Sequence, residues 1–316
     1  MRRLFLILSF LLSCLFFFIS LLVGPTGFPS SQRALIIWQI RLPRAVLAFL
    51  TGSSLGIAGA SLQGLLMNPL ADPYILGMSG GAALGAVLAF LFKLEDFAYG
   101  MGVPIFACAG AFFSLLLVLA IAKRNGQLPV ERVILAGVIV GAFLWSLVTF
   151  LLTFSGEDAY RILLWLMGSL SNAEWRSVKL AIFPILLGSL ALLFFWRELD
   201  VFSLGEEVAG YLGVETGKAK VLIIIFSSLA VAGAVSVCGI IGFVGLISPH
   251  IARRLVGYNH RLLLPASFFI GASILLLADT LAKGIIAPAE LPVGALTALL
   301  GAPFFAYLLY KKEGQR

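Results

Sequence analysis

Long apolar runs follow one another along nearly the whole chain and restrict the folds it can adopt. Each is about 20 residues long, the length that an α-helix needs to cross a bilayer. The runs are continuous and lack the alternation of membrane β-strands, so helices are predicted. With 61% hydrophobic and 12% charged residues, the chain is predicted to be an all-α integral membrane protein with one transmembrane domain, residues 1–316. Ten runs are candidate spans: 4–23, 45–66, 75–92, 103–122, 133–154, 178–196, 219–238, 240–257, 263–282 and 293–310.

The first run, residues 4–23, could also be a secretory signal peptide, because a basic amino terminus precedes it. It is longer than the apolar region of about 7–15 residues found in such signals, and no A-x-A cleavage pattern follows. We therefore interpret it as a retained helix. The sequence also shows no metal-ligand spacing, because its three cysteines lie singly inside apolar runs, which favours small core residues. They are Cys14, Cys108 and Cys238.

The distribution of basic residues predicts the orientation of the helices. If the amino terminus is cytoplasmic, fourteen Lys and Arg residues lie in cytoplasmic connections and eight lie outside. This bias follows the positive-inside rule and predicts that both termini are cytoplasmic. It also accounts for the net charge of +7 without a nucleic-acid partner. Arg41, Arg44 and Lys283 fall outside, with few acidic residues near them in the sequence.

Two similar segments indicate an inverted internal repeat. The sequence SLxxAGA occurs at residues 54–60 and again at 228–234, on helices predicted to cross the membrane in opposite directions. A chance match between small residues is the alternative. Small-residue patterns are typical of helices that pack closely in lipid. They occur at Gly52-x-x-x-Gly56, Gly81-x-x-x-Gly85 and Gly239-x-x-Gly242-x-x-Gly245.

A short polar connection, residues 68–73, separates the second and third runs. Its sequence, Asn-Pro-Leu-Ala-Asp-Pro, contains two prolines four residues apart. One regular helix cannot hold both, because each lacks a hydrogen-bond donor and restricts the residue before it. The segment therefore predicts a break between two membrane helices at a water-facing end.

The connection at residues 198–216 is amphipathic and is predicted to be cytoplasmic. Ser203 or Gly205 could begin a helix there, and Gly213 could end it. Large apolar side chains in such a segment predict a surface that contacts a partner. A helix that lies on the lipid surface is the alternative. The side chains are those of Phe202, Leu204, Tyr211 and Leu212.

Asp279 is the one carboxylate placed inside a predicted span. Lys283 follows it by four residues, so an ion pair near the outer interface is favoured over a proton relay. An ion-coupled secondary transporter, the alternative class of function, should carry more carboxylates at the midplane. The sequence contains no phosphate-binding loop and no catalytic motif, so the chain is not predicted to be an enzyme.

Three stretches carry a family resemblance: residues 41–85, 242–254 and 289–305. Together they resemble the permease subunits of ABC importers for iron-siderophores, haem and cobalamin, the FecCD family, over nearly the whole chain. The resemblance implies a cobalamin-permease-like fold with no cofactor of its own. It also implies a homodimer in a prokaryotic cell membrane, two ATPase subunits that bind ATP and Mg, and a periplasmic or lipid-anchored binding protein. A ferric siderophore is the favoured substrate, and haem, cobalamin or an oxyanion are the alternatives.

The resemblance also implies roles for particular residues. The residues implied to dock the binding protein are Arg41, Arg44 and Lys283, and this lysine stands in place of a family arginine. The residues implied to form the cytoplasmic gate are Asn68, Leu70, Val130 and Glu131, although the last two depart from the small hydroxyl residues of the cobalamin permease. Coupling to the ATPase falls to Leu204, Gly205, Glu206, Ala209, Tyr211, Leu212 and Gly213. A pathway wide enough for a large substrate is expected to be lined by small residues of the fifth span, Gly137, Gly141 and Ser146.

Overall fold

The structure is a computed structural model that describes residues 2–24, 33–124 and 127–313. Every regular element in these ranges is helical, which confirms the predicted all-α class. A π-helical turn at Ile37–Arg41 and a 3-10 turn at Pro73–Leu76 interrupt the α-helices. The α-helices are α1 Arg2–Leu22, α2 Arg33–Ile36, α3 Leu42–Leu65, α4 Met78–Leu91, α5 Phe97–Gly100, α6 Gly102–Ala122, α7 Val130–Leu152, α8 Ala159–Leu166, α9 Trp175–Phe194, α10 Trp196–Phe202, α11 Glu206–Tyr211, α12 Thr216–Cys238, α13 Val244–Val256, α14 His260–Gly284 and α15 Val293–Glu313.

Seven of the described helices are long and apolar enough to cross a membrane. The second of them begins at Ala34 rather than at the predicted residue 45, because the π-helical turn joins α2 to α3. The predicted run 240–257 is only the 13-residue helix α13, because the backbone at 239–243 is not helical. The seven are Arg2–Leu22, Ala34–Leu65, Gly102–Ala122, Val130–Leu152, Trp175–Phe194, Thr216–Cys238 and His260–Gly284, and two shorter apolar helices are Met78–Leu91 and Val293–Ala306.

Helix α3 lies at the centre of the bundle, with 21 of its 24 residues buried. It packs against α14 through glycines whose backbones touch. A Cβ added to Gly52 would collide with the Gly271 carbonyl, and one added to Gly56 would collide with the Ser267 carbonyl. As the residue number increases along α3, the number of the contacting residue in α14 decreases, so the two helices are antiparallel.

The other glycine patterns pack in the same way, with one exception. Gly81 of α4 and Gly110 of α6 lie against each other's carbonyl groups, and Gly245 of α13 lies against Gly59 of α3. Gly242 has open space where a Cβ would be. Close packing of small residues is therefore confirmed for the first two patterns and only in part for the third.

Replacing Gly271 by alanine should destabilise the protein, because the new methyl group would meet the Gly52 carbonyl. Overpacking of this kind commonly lowers the free energy of unfolding by about 1–3 kcal/mol. Thermal unfolding in detergent would measure the change. Gly284→Ala is the matched control, since Gly284 ends the same helix and has open space around it. Equal midpoints for the two variants would contradict the packing described.

The order of elements agrees with the predicted inverted repeat. The buried helix α3 is followed by an irregular break, the short helix α4 and the long helix α6. Helix α12 is likewise followed by a break, the short helix α13 and the long helix α14. Both short helices begin after a residue in the left-handed conformation, Gly77 with φ 73° and Phe243 with φ 68°.

Candidate functional site

A buried ion cluster joins α3 to α14 at the amino-terminal end of α3. Arg44 Nε lies 2.9 Å from Asp279 Oδ1, and its NH1 lies 2.8 Å from Glu290 Oε2. Lys283 Nζ lies 3.0 Å from Asp279 Oδ2. Asp279 is fully buried. The predicted Asp279–Lys283 pair is thus confirmed, and Arg44 shares its carboxylate.

The cluster also holds the carboxyl-terminal end of α1. Lys283 Nζ donates to Ser20 Oγ at 3.1 Å, and Arg41 NH1 donates to the Leu22 carbonyl at 2.7 Å. These bonds supply partners for cationic groups that are buried away from water, which is the arrangement a buried charge requires.

The three predicted docking residues are therefore not free surface charges in this structure. Arg41, Arg44 and Lys283 are 6%, 7% and 2% exposed. Lys283 lies in the last turn of α14, one residue beyond the predicted span 263–282. The expectation that few acids offset these cations was wrong for Arg44, whose two acidic partners, Asp279 and Glu290, lie 235 and 246 positions away in sequence.

The opposite end of α3 leads into the polar connection at residues 68–73, and the predicted helix break is confirmed there. Asn68 Oδ1 accepts from the Leu70 N–H at 2.9 Å. Asp72 Oδ1 accepts from the Tyr74 N–H at 2.8 Å and caps the 3-10 turn. Gln63 Nε2 donates to the Ala71 carbonyl at 3.2 Å, so the end of α3 fixes the connection.

Asp72 gives this connection a pH-dependent stability. Burial raises the pKa of its carboxyl from 3.8 to about 6, although the hydrogen bond from the Tyr74 N–H opposes the shift. The folded protein therefore holds the proton more tightly than the unfolded chain. The stabilisation is fully present below about pH 3.8 and is lost as the pH rises through about 6.

Asp72→Asn should remove this dependence, since the amide stays neutral and its oxygen can still accept from the Tyr74 N–H. Between about pH 4 and pH 7, the unfolding midpoint of the wild type should fall relative to that of the variant. Thermal scans of both proteins in the same detergent measure the difference. Parallel pH profiles would show that Asp72 titrates normally.

The four predicted gate residues lie on two segments, the connection at residues 68–73 and the first turn of α7. Asn68 is half-buried and Leu70 is 49% exposed. Val130 and Glu131 begin α7, where Val130 is half-buried and Glu131 is exposed. Their gating role stays a prediction.

Two of the three predicted pathway residues pack inside the chain instead. A Cβ on Gly137 would collide with the Ile75 carbonyl of the 3-10 turn, and Gly141 lies against Gly77. Only Ser146 is on the exposed face of α7, where its hydroxyl donates to the Ala142 carbonyl at 2.9 Å. That face carries small and hydroxyl side chains along one line, Ala142, Ser146, Thr149 and Thr153.

The predicted short helix in the connection at residues 198–216 is confirmed as α11. Gly205 precedes it with φ 111°, and Gly213 follows it with φ 84°, conformations that favour glycine. Leu204, Tyr211 and Leu212 are 64%, 90% and 61% exposed, as expected for an apolar surface.

Two of the side chains named for this segment point inward. Phe202 is 2% exposed, and Ala209 is fully buried, so both hold the segment on the bundle. The contact surface is thus narrower than predicted. We call it the α11 surface and define it by Leu204, Val208, Tyr211 and Leu212.

Two partly buried polar contacts, which the sequence did not reveal, fasten α10 and α11 to the membrane helices. Asp200 Oδ1 accepts from the His260 backbone N–H at 2.8 Å and lies 2.7 Å from His260 Nδ1. Lys220 Nζ lies 2.5 Å from Glu206 Oε1 and donates to the Leu128 carbonyl at 2.7 Å. The partners lie 60, 14 and 92 positions apart, beyond the reach of local patterns.

Among the residues that the structure describes, no group of three His, Cys, Asp or Glu side chains could hold a metal ion. Cys238 Sγ lies 3.2 Å from Thr51 Oγ1 inside the core, and Cys14 and Cys108 are half-buried thiols. The long apolar helices and the exposed α11 surface are the features expected of a membrane protein that contacts a partner.

Comparisons with known proteins agree with this view. A family model described as the FecCD transport family matches residues 4–311. The cobalamin import system permease BtuC of Halobacterium salinarum is 44% identical over 91% of this chain and 76% of its own length. The Fe(3+)-citrate import system permease YfmE of Bacillus subtilis is 43% identical over 87% of this chain and 81% of its own. A solved inward-facing conformation of a proposed metal-chelate type ABC transporter matches with a TM-score of 0.88 and 35% identity, covering 98% of this chain and 100% of that one.

Proposed function

Because the chain belongs to the FecCD transport family and is a permease subunit of an ABC importer, we propose how it assembles and what it carries. Two copies form the pathway, two ATPase subunits bind the α11 surfaces, and one substrate-binding protein docks at the other end. The observation that carries the proposal is the α11 surface, where large apolar side chains are exposed on a short helix that an ion pair to Lys220 fastens to the bundle.

The geometry of α3 supports this assignment of sides. Arg44 lies in the ion cluster, and Gly64 lies beside Leu199 and His260, next to the connection at residues 198–216. About 20 residues of helix separate these positions, or about 30 Å, which is the thickness of the hydrocarbon core. With the α11 surface in the cytoplasm, the ion cluster lies outside.

The same assignment places both termini in the cytoplasm. The end of α1 lies beside Arg41 at the ion cluster, so its start lies at the cytoplasmic end. Helix α15 begins soon after Glu290, which is also in the cluster, and runs back toward the cytoplasm. The excess of basic residues in cytoplasmic connections agrees with this orientation.

The favoured substrate is a ferric siderophore or a similar metal chelate, with cobalamin or haem as alternatives. Relatives named for cobalamin and Fe(3+)-citrate support this class. One line along the exposed face of α7 carries small and hydroxyl side chains that would leave space for a large substrate without binding a charged group strongly, and large apolar side chains lie beside it. An ion-coupled transporter is disfavoured, since Asp279 is paired with Arg44 and Lys283.

Purification of the permease with its ATPase subunit tests the assembly. Native mass spectrometry should show two copies of each, and proteoliposomes loaded with ATP should accumulate ⁵⁵Fe-labelled ferric hydroxamate when the binding protein is added. An ATPase variant that cannot hydrolyse ATP is the control. A permease that stays monomeric beside its ATPase would contradict the dimer.

A further inference from the structure

Lys220, in the second turn of α12, is a charged residue that is almost completely buried. Its exposed fraction is 3%. Its ammonium group lies between two partners from different parts of the chain: the Glu206 carboxylate on α11 and the Leu128 carbonyl in the segment before α7. A buried lysine needs such partners, and its three N–H donors allow one group to bond both.

The Leu128 carbonyl belongs to a segment that is continuous with α7. Leu128 is 6% exposed, and Pro129 precedes the first residue of the helix. Two turns further along α7, Gly137 lies against the Ile75 carbonyl of the 3-10 turn. Contacts therefore run without interruption from α11, through Lys220 and α7, to the connection that follows α3.

The second polar contact, between Asp200 and His260, connects to a different part of the bundle. Asp200 joins α10 to the start of α14, where His260 lies beside Gly64 at the end of α3. The Asp200 contact thus fastens the connection at residues 198–216 to the central helices. The Lys220 contact, in contrast, reaches the segment before α7.

We propose that Lys220 is a positioning residue that transmits movement of α11 to the start of α7. This rests on the proposed function, in which the ATPase moves α11. A shift of Glu206 displaces the ammonium group, which draws the Leu128 carbonyl with it. The first turn of α7, including Glu131, follows because it is continuous with that segment.

The test uses the reconstituted complex, with native cysteines replaced by serine and one cysteine introduced at position 131. ATP should change the rate at which a methanethiosulfonate reagent modifies that cysteine. In Lys220→Met this change should fall by about tenfold, as expected for loss of a charge-assisted hydrogen bond. Lys220→Arg should keep it within about threefold, because arginine retains charge and donors.

A charge swap separates transmission from mere stability. Glu206→Lys combined with Lys220→Glu can re-form the ion pair between α11 and α12, but it places a carboxylate against the Leu128 carbonyl. The swap should unfold at a higher temperature than Glu206→Lys alone, in which two ammonium groups would meet, and yet lose the response at position 131. Glu206→Gln provides a second variant if Lys220→Met does not fold, and its response should also fall.

The outcomes distinguish failure of the proposed function from failure of the role proposed for Lys220. A wild-type complex that binds no ATPase contradicts the proposed function itself, whereas one that binds the ATPase but shows no ATP-dependent change at position 131 overturns the proposed movement of α7. A normal wild-type response together with an equal response in Lys220→Met, in Glu206→Gln or in the charge swap overturns the role of Lys220.

Discussion

Replacing Asp279 by alanine should lower the free energy of unfolding by about 3–5 kcal/mol, the usual cost of removing one partner from a buried ion pair. Arg44 and Lys283 would stay buried without the carboxylate that they share. Glu290 could retain one bond to Arg44 but does not reach Lys283 among the contacts described. We expect little folded protein, and thermal unfolding in detergent should show a much lower midpoint.

Two further variants make this prediction specific. Glu290→Gln should have a smaller effect, because the Glu290 side chain is 22% exposed and water can compensate. Combining Asp279→Ala with Arg44→Met and Lys283→Met should recover much of the lost stability, since no buried cation is then left without its carboxylate. A wild-type midpoint for Asp279→Ala would contradict the stabilising role of the cluster.

Replacing Leu212 or Tyr211 by glutamate should abolish ATP-driven uptake while leaving the permease folded. Both side chains are largely exposed, so the substitution costs the isolated chain little. At an interface, a buried carboxylate would replace an apolar contact, and central contacts of this kind are commonly worth about 2 kcal/mol or more. The affinity for the ATPase subunit should therefore fall by at least about thirtyfold.

Pull-down of the ATPase subunit and uptake by proteoliposomes would measure these effects. Glu207→Gln is the matched control, because Glu207 is exposed on the same helix and the substitution introduces no charge into an apolar contact. Normal affinity for the ATPase in Leu212→Glu would place the coupling contact elsewhere on the permease.

Local signals in the sequence predicted much of this fold. Continuous apolar runs indicated the long helices, and the prolines of residues 68–73 indicated the break after α3. Gly205 and Gly213 marked the ends of α11, because their backbone conformations favour glycine. Each of these features depends on residues close together in the chain.

The features that were mispredicted depend on distant residues or on backbone geometry. The burial of Arg44 was not foreseen because its partner Glu290 lies 246 positions away, and its docking role stays a prediction. Gly137 looked like a pathway residue because a glycine packed on Ile75 and one facing a channel have the same sequence signal. Helix α13 looked longer because hydropathy does not record the left-handed conformation of Phe243.

The glycine contact between α3 and α14 limits how the importer can change conformation. Interlocked backbones leave little freedom for gradual sliding, so a shift between these helices would require a step of about one turn, or about 5.4 Å. We therefore expect α3 and α14 to behave as a stationary frame, and opening to occur where side chains, not backbones, form the contact. Paired cysteines across this frame should crosslink at the same rate with and without ATP, and a large change in that rate would show that the frame itself moves.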